Sequence, residues 1–226
     1  MLVLFRHHQL QEEIMKIAML VYPGMTPLDL LGPLQTWSQM PDTEIQIVWK
    51  NTDPVMTDAG MDVVPTHSFA DAFENPDIIF APGGRKPTID LTQDADTMAF
   101  LKSRGENAKW VTSVCTGALL LGAAGLLDGY KATTHWAAIP FLEGFGAIPT
   151  EGRYVIDRNR ATGGGVTAGI DFGLAMVAEI AGKETAQMIQ LAMEYSPQPP
   201  FKSGTPSEAP PEILQKVLDG YANVTA

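Results

Sequence analysis

Cysteine is nearly absent from this chain: Cys115 stands alone among 226 residues. One cysteine closes no internal disulfide and builds no multi-cysteine zinc cluster. A reducing compartment suits it, so a cytoplasmic location is expected. Positive charge is scarce as well. Fifteen Lys and Arg face 26 Asp and Glu, a net charge of -11. A phosphate backbone needs the opposite balance, so nucleic acid is not an expected partner. No apolar run reaches the length that crosses a bilayer, so neither is a membrane. Convergent ligands at metal spacing are missing too, and no metal site is expected.

What is present reads as one α/β domain. Residues 17–22 form a continuous apolar run, as in a strand buried on both faces, and Pro23-Gly24 breaks it. Pro27 opens a helix expected to reach about Met40, with Pro33 inside it predicting a kink or a late start. Further strands are predicted at 44–49, 77–81, 109–114 and 131–134, with pairs at 55–64 and at 154–162. Helices are predicted at 94–104, from 116 to about 127, at 136–142, at 167–180 and at 183–193. Strands alternating with helices imply a mostly parallel central sheet covered by helices on both faces, a flavodoxin-like sandwich. Residues 1–14 read as an N-terminal extension, either a short added helix or a start placed too early. Residues 15–195 read as the main domain. Residues 196–226 read as a Pro-rich arm plus a short amphipathic helix that packs on the same domain or on a dimer mate.

Ligands of such sheets sit beyond the carboxyl ends of the strands. Cys115 lies there, where the apolar run Trp110-Val111-Thr112-Ser113-Val114 meets the small-residue helix opened by Thr116-Gly117. A residue on so sharp a strand-to-helix turn is pushed out of the sheet and faces the positive end of the helix. That geometry suits a nucleophile and predicts a thiolate-rich sulfur. The other reading is a small buried hydrophobe. Asp29, just past the first strand and flanked by leucines, is either a part-buried proton carrier or a helix N-cap. Gly83 and Gly84 end the strand at 77–81. Their N–H groups either line an oxyanion hole or shape a tight turn. Thr116 offers a hydroxyl and an N–H beside the cysteine, or caps the helix. His135 ends a short strand within reach of the same edge, as a catalytic or a structural residue. His7, His8 and His67 lack any such context. Gly163-Gly164-Gly165-Val166 has neither the spacing nor the lysine of a phosphate loop, and reads as a close backbone approach to the cysteine turn.

Together, Cys115 on its elbow, Pro82-Gly83-Gly84 and the acid after the first strand resemble the ThiJ/PfpI superfamily, the class I glutamine-amidotransferase-like fold. The resemblance spans residues 16–195. Leu28-Asp29-Leu30-Leu31-Gly32-Pro33, Thr112-Ser113-Val114-Cys115-Thr116-Gly117, Ala132-Thr133-Thr134-His135-Trp136 and Thr162-Gly163-Gly164-Gly165-Val166-Thr167-Ala168-Gly169-Ile170-Asp171 look like its isocyanide hydratase (isonitrile hydratase) branch. Several of these motifs recur in AraC-type regulators that carry the same domain. Protease-like members place a histidine directly after the cysteine, where Thr116 stands here. The late histidine and glutamate of amidotransferases have no counterpart.

The resemblance implies a cofactor-independent lyase. In it, Cys115 attacks the terminal carbon of an isocyanide, Asp29 moves protons, and water releases an N-substituted formamide. Gly84 and Thr116 N–H groups would steady developing charge, and the Val166 backbone would approach the sulfur. A homodimer is expected, using the face around Leu28 and Leu31 and the Pro-rich arm. The alternatives are another cysteine enzyme of this fold, glyoxalase-like or an amide hydrolase, and a non-enzymatic small-molecule sensor.

Overall fold

The computed structural model describes residues 14–225. The expected N-terminal extension therefore lies, but for Ile14, outside the described residues. In chain order the elements are β1 (Met15–Leu20), α1 (Pro27–Trp37), β2 (Thr43–Trp49), β3 (Val55–Met56), β4 (Asp62–Val63), β5 (His67–Ser68), β6 (Ile78–Ala81), α2 (Arg85–Leu91), α3 (Ala95–Gly105), β7 (Trp110–Val114), α4 (Gly117–Ala123), β8 (Lys131–Ala132), β9 (Ile148–Pro149), β10 (Tyr154–Asp157), β11 (Arg160–Gly163), α5 (Ala168–Ala181), α6 (Lys183–Ala192) and α7 (Pro211–Thr225).

Seven strands form one sheet in the order β10-β11-β7-β6-β1-β2-β5. Every pairing in it is parallel except β10 with β11. Central strands of such a sheet are covered on both faces, and β6 is accordingly buried along its length, as is β1 from Ile17 onward. Helices α1, α5 and α6 pack together, while α2 and α3 pack with α4. Trp37 anchors the first group. Its ring meets Phe80 edge-on at 5.5 Å and Phe172 at 5.9 Å, and its indole N–H donates to the Gly173 carbonyl at 3.2 Å.

The structure sharpens three expectations. Helix α1 begins at Pro27, contains Pro33 and ends at Trp37, so of the two alternatives the late start does not occur. The helix expected at 136–142 is present at Trp136–Phe141 as a 3₁₀ helix. Pro140 lies within it and has no N–H to extend an α-helical ladder. Helix α2 is absent from the expected elements, because Pro87 follows a Pro-Gly-Gly turn. In the first turn of a helix that proline costs no hydrogen bond.

What the fold does for function is alignment. Gly163 pairs in register with Val114, and Ala81 with Ser113. The carboxyl ends of β6, β7 and β11 therefore lie side by side, and the loops that follow carry Gly83, Cys115 and Val166. β1 runs parallel beside β6 and delivers α1, whose first turn carries Asp29.

Candidate active site

Cys115 is a non-glycine residue in the left-handed region, at φ 56°. That conformation costs on the order of 1–3 kcal/mol and persists only where the surroundings impose it. Here they do. The Cys115 N–H donates to both Gly163 O (3.1 Å) and Gly164 O (2.9 Å). Its carbonyl accepts from the Thr134 hydroxyl at 2.7 Å. Gly117 completes the turn, since a Cβ there would lie 2.0 Å from the Ala81 carbonyl oxygen. The glycine run 163–165 thus meets the cysteine turn through its carbonyls.

Asp29 is fully buried. It does not cap its helix. The N-cap is Thr26, and Asp29 sits in the first turn with its carboxyl directed at the cysteine. One oxygen, Oδ2, accepts from the Gly83 N–H at 3.0 Å. The other, Oδ1, is buried without an aligned hydrogen bond, and the carboxyl's remaining polar neighbour is the Cys115 thiol. Gly83 must be glycine for this arrangement. A Cβ would fall 2.6 Å from the Thr116 nitrogen and 2.8 Å from Asp29 Oδ2.

Burial lifts the Asp29 carboxyl from its ordinary 3.8 to about 7, against the hydrogen bonds from Cys115 and Gly83, with the Asp58 charge adding to the rise. The Cys115 thiol is pushed up from 9.0 to about 12, by burial first and the Asp29 charge second. Backbone N–H groups of Val166 and Thr116 reach the sulfur and pull the other way. The carboxyl therefore gives up its proton before the thiol does, and between those two losses the pair keeps one proton and one negative charge. This runs against the expected thiolate-rich, helix-activated cysteine: burial and the Asp29 charge push the thiol up, and helix α4 behind it is only seven residues long.

The remaining expected residues are distributed as follows. The Gly84 N–H is occupied, donating to the Thr116 hydroxyl at 3.0 Å. With Gly83 also engaged, neither glycine offers a free donor to an oxyanion in this conformation. Thr116 makes no side-chain cap bond. Val166 has φ 27°, which turns its backbone toward the sulfur. The His135 Nδ1 accepts from the Ala137 N–H at 3.3 Å, so its proton sits on Nε2, which lies 3.5 Å from the Tyr221 hydroxyl. Burial, and then the Arg85 charge, hold this histidine below its ordinary pKa. It packs on the loop instead: a Cβ at Gly165 would lie 2.7 Å from its ring. Tyr221, on α7, also contacts the rings of His135 and Trp136 at 5.8 and 5.9 Å.

Sequence reasoning missed three residues: Tyr22, Thr88 and Asp58. Tyr22 carried a usable signal, a phenol ending the apolar run 17–22. Thr88 lies on the unexpected helix α2, and Asp58 in a hairpin read only for its turn.

The DJ-1/PfpI family matches residues 15–179. The chain belongs to that family. It is 45% identical over 202 residues to the isonitrile hydratase of Pseudomonas putida, covering 89% of this chain and 88% of that one. A solved ThiJ/PfpI family protein from Pseudomonas syringae superposes with a TM-score of 0.90 at 50% identity, over 92% of this chain and 86% of the other. The transcriptional regulator GbdR of Pseudomonas aeruginosa is 32% identical over 151 residues, 66% of this chain but 38% of its own length. The last match bears on the sensor alternative. Among the described residues, no helix is long and apolar enough to cross a membrane, and no three His, Cys, Asp or Glu gather as metal ligands.

Proposed function

We propose that this protein hydrates isocyanides to N-substituted formamides through a covalent thioimidate on Cys115. The observation that carries the reading is the buried Asp29 carboxyl set against the Cys115 thiol, with the carboxyl held by Gly83 and the cysteine held on its strained turn. The 45% identity to an isonitrile hydratase supports it.

The chemistry follows from the pair. Isocyanide carbon is a soft electrophile, and sulfur is the matching nucleophile. The sulfur lone pair forms the C–S bond, and the shared proton passes through Asp29 to the same carbon. The product is Cys115–S–CH=N–R, with Asp29 ionised. Asp29 then takes a proton from water as its oxygen bonds the carbon, and passes that proton to nitrogen. The tetrahedral adduct collapses: the C–S bond breaks, the formyl C=O forms, and the hydroxyl proton returns to the pair. One water is consumed and the formamide leaves. The N–H groups of Val166 and Thr116 hold the sulfur anion at attack and at departure. Gly83 fixes Asp29, Gly84 fixes the Thr116 hydroxyl, and His135 supports the loop from Gly165. No cofactor enters any step.

Incubation with an alkyl isocyanide, with formamide followed by NMR, tests the reading. Turnover of methylglyoxal or a simple amide without formamide formation would overturn it in favour of another cysteine enzyme. Binding without turnover would favour a sensor.

The active form is a homodimer in this proposal, residing in a reducing cytoplasm. Leu28 and Leu31 flank Asp29 with 37% and 39% exposure, and Phe201 on the Pro-rich arm is 78% exposed. A symmetric pair would cover the first face and use the arm. Light scattering across dilutions should give about twice the 24.4 kDa chain mass. A monomer with full activity would overturn it.

A further inference from the structure

Behind the reacting pair, three hydroxyls form a chain that the proposed mechanism does not use. Thr116 Oγ1 lies 2.9 Å from Thr88 Oγ1, which lies 2.8 Å from the Tyr22 hydroxyl. At one end the Gly84 N–H meets Thr116 Oγ1 at 3.0 Å. At the other the Tyr22 hydroxyl meets the Pro82 carbonyl at 3.0 Å. The ends fix the direction of every proton, because an amide N–H only donates and a carbonyl only accepts. Gly84 donates to Thr116, Thr116 to Thr88, Thr88 to Tyr22, and Tyr22 to Pro82. Each hydroxyl donates once within the chain.

The chain starts and finishes on one three-residue loop. Pro82 and Gly84 are its ends, and Gly83 between them is the residue whose N–H holds Asp29. Tyr22 and Thr88 are at most 1% exposed, so water does not substitute for a lost partner. We infer that Tyr22 and Thr88 are positioning residues: their hydroxyls clamp the Pro82–Gly84 loop so that Gly83 presents its N–H to Asp29 and Thr116 keeps its place beside Cys115. This rests on the Cys115–Asp29 reading of the site. It also means that the Thr116 hydroxyl is spent as a donor on Thr88 and does not protonate substrate.

Thr88→Val keeps shape and removes the middle hydroxyl, while Thr88→Ser keeps the hydroxyl. Two measurements apply: kcat with an alkyl isocyanide, and the pH dependence of Cys115 alkylation by iodoacetamide, which reads the pair without any isocyanide. The groups facing Asp29 are Cys115, Gly83 and Asp58. Ionised Asp29 can take the thiol proton as the sulfur is alkylated, so the alkylation rate should rise as Asp29 ionises near 7; loss of the Gly83 hydrogen bond removes a contact that favours the carboxylate, so that midpoint should move upward. Thr88→Val should lower kcat by about 3- to 10-fold, the worth of one buried hydrogen bond. Thr88→Ser should restore both readings to within about 2-fold of the parent. An unmoved midpoint in Thr88→Val would overturn the inference. So would equal losses in the two variants, which would point to packing. If the parent itself makes no formamide, the substrate reading fails, while the alkylation midpoint still decides the clamp.

Discussion

Replacing Asp29 with asparagine should make the protein more stable at neutral and alkaline pH while destroying its activity. The carboxyl is buried and its pKa is raised from 3.8 to about 7. A folded value above the unfolded one means the folded state binds the proton more tightly. The associated stability is fully present below about pH 4 and is lost as pH rises through about 7. Above that, the protein carries the whole cost of a buried carboxylate. A shift of this size corresponds to about 4 kcal/mol, of which about 2 kcal/mol falls between about pH 5.5 and pH 8.5. The amide introduced by Asp29→Asn stays neutral throughout, and its oxygen still accepts from Gly83. Cys115 loses the Asp29 charge in the variant, but burial, the larger cause of its raised pKa, remains, so the thiol keeps its proton over this pH range. The stability gap between the Asp29→Asn variant and the parent, measured by urea unfolding at the two pH values, therefore reads chiefly the Asp29 carboxyl. The gap should widen in favour of the variant by about 2 kcal/mol on going from about pH 5.5 to about pH 8.5. Activity should fall by at least about 100-fold, the usual worth of a general acid–base group. A gap that does not change with pH would refute the argument, because it would mean Asp29 is solvated or stably paired. Unchanged turnover would remove Asp29 from the chemistry.

Other outcomes follow from the same geometry. Cys115→Ala should fold and make no formamide, because the small side chain fits the elbow, and Cys115→Ser should be nearly as inactive, a hydroxyl being the poorer nucleophile; NMR detection of formamide at the parent's rate would contradict this. Activity of the parent should rise with pH through about 7, as the first proton leaves the pair, which a pH–rate profile checks. Gly117→Ala should destabilise the fold by about 3 kcal/mol or more, because its Cβ would lie 2.0 Å from the Ala81 oxygen; thermal unfolding measures it.

Much of this was legible in the sequence, and the boundary is physical. Buried parallel strands announce themselves as apolar runs, so β1, β6 and β7 were readable, and with them the sheet edge where Cys115 sits. The glycine run 163–165 was readable because it matched no phosphate loop. Helix α2 was not, since Pro87 in its first turn carries a breaker's signal in a place where breaking costs nothing. With α2 went Thr88, and with Thr88 the hydroxyl chain. The state of the cysteine was misjudged for a different reason. A helix start is visible in a sequence, whereas burial beside a carboxylate is not, and burial is the larger effect here.

The site concentrates unfavourable features, and each has a local restraint. Cys115 at φ 56° is held by two carbonyls through its N–H and by Thr134 through its oxygen. Asp29 is buried with Oδ2 held by the Gly83 N–H, and the Cys115 thiol is the carboxyl's side-chain partner. That partner is the informative detail. A purely structural buried carboxyl is best met by donors that keep their protons, such as backbone N–H groups. A thiol can give its proton up, as the proposed mechanism requires in each turnover. The hydrogen bond from Gly83 then serves a second purpose: it stops the carboxyl from rotating away from the sulfur. On this view the Pro82–Gly84 loop is where rigidity matters most, and the three hydroxyls that tie its ends together supply that rigidity without entering the reaction.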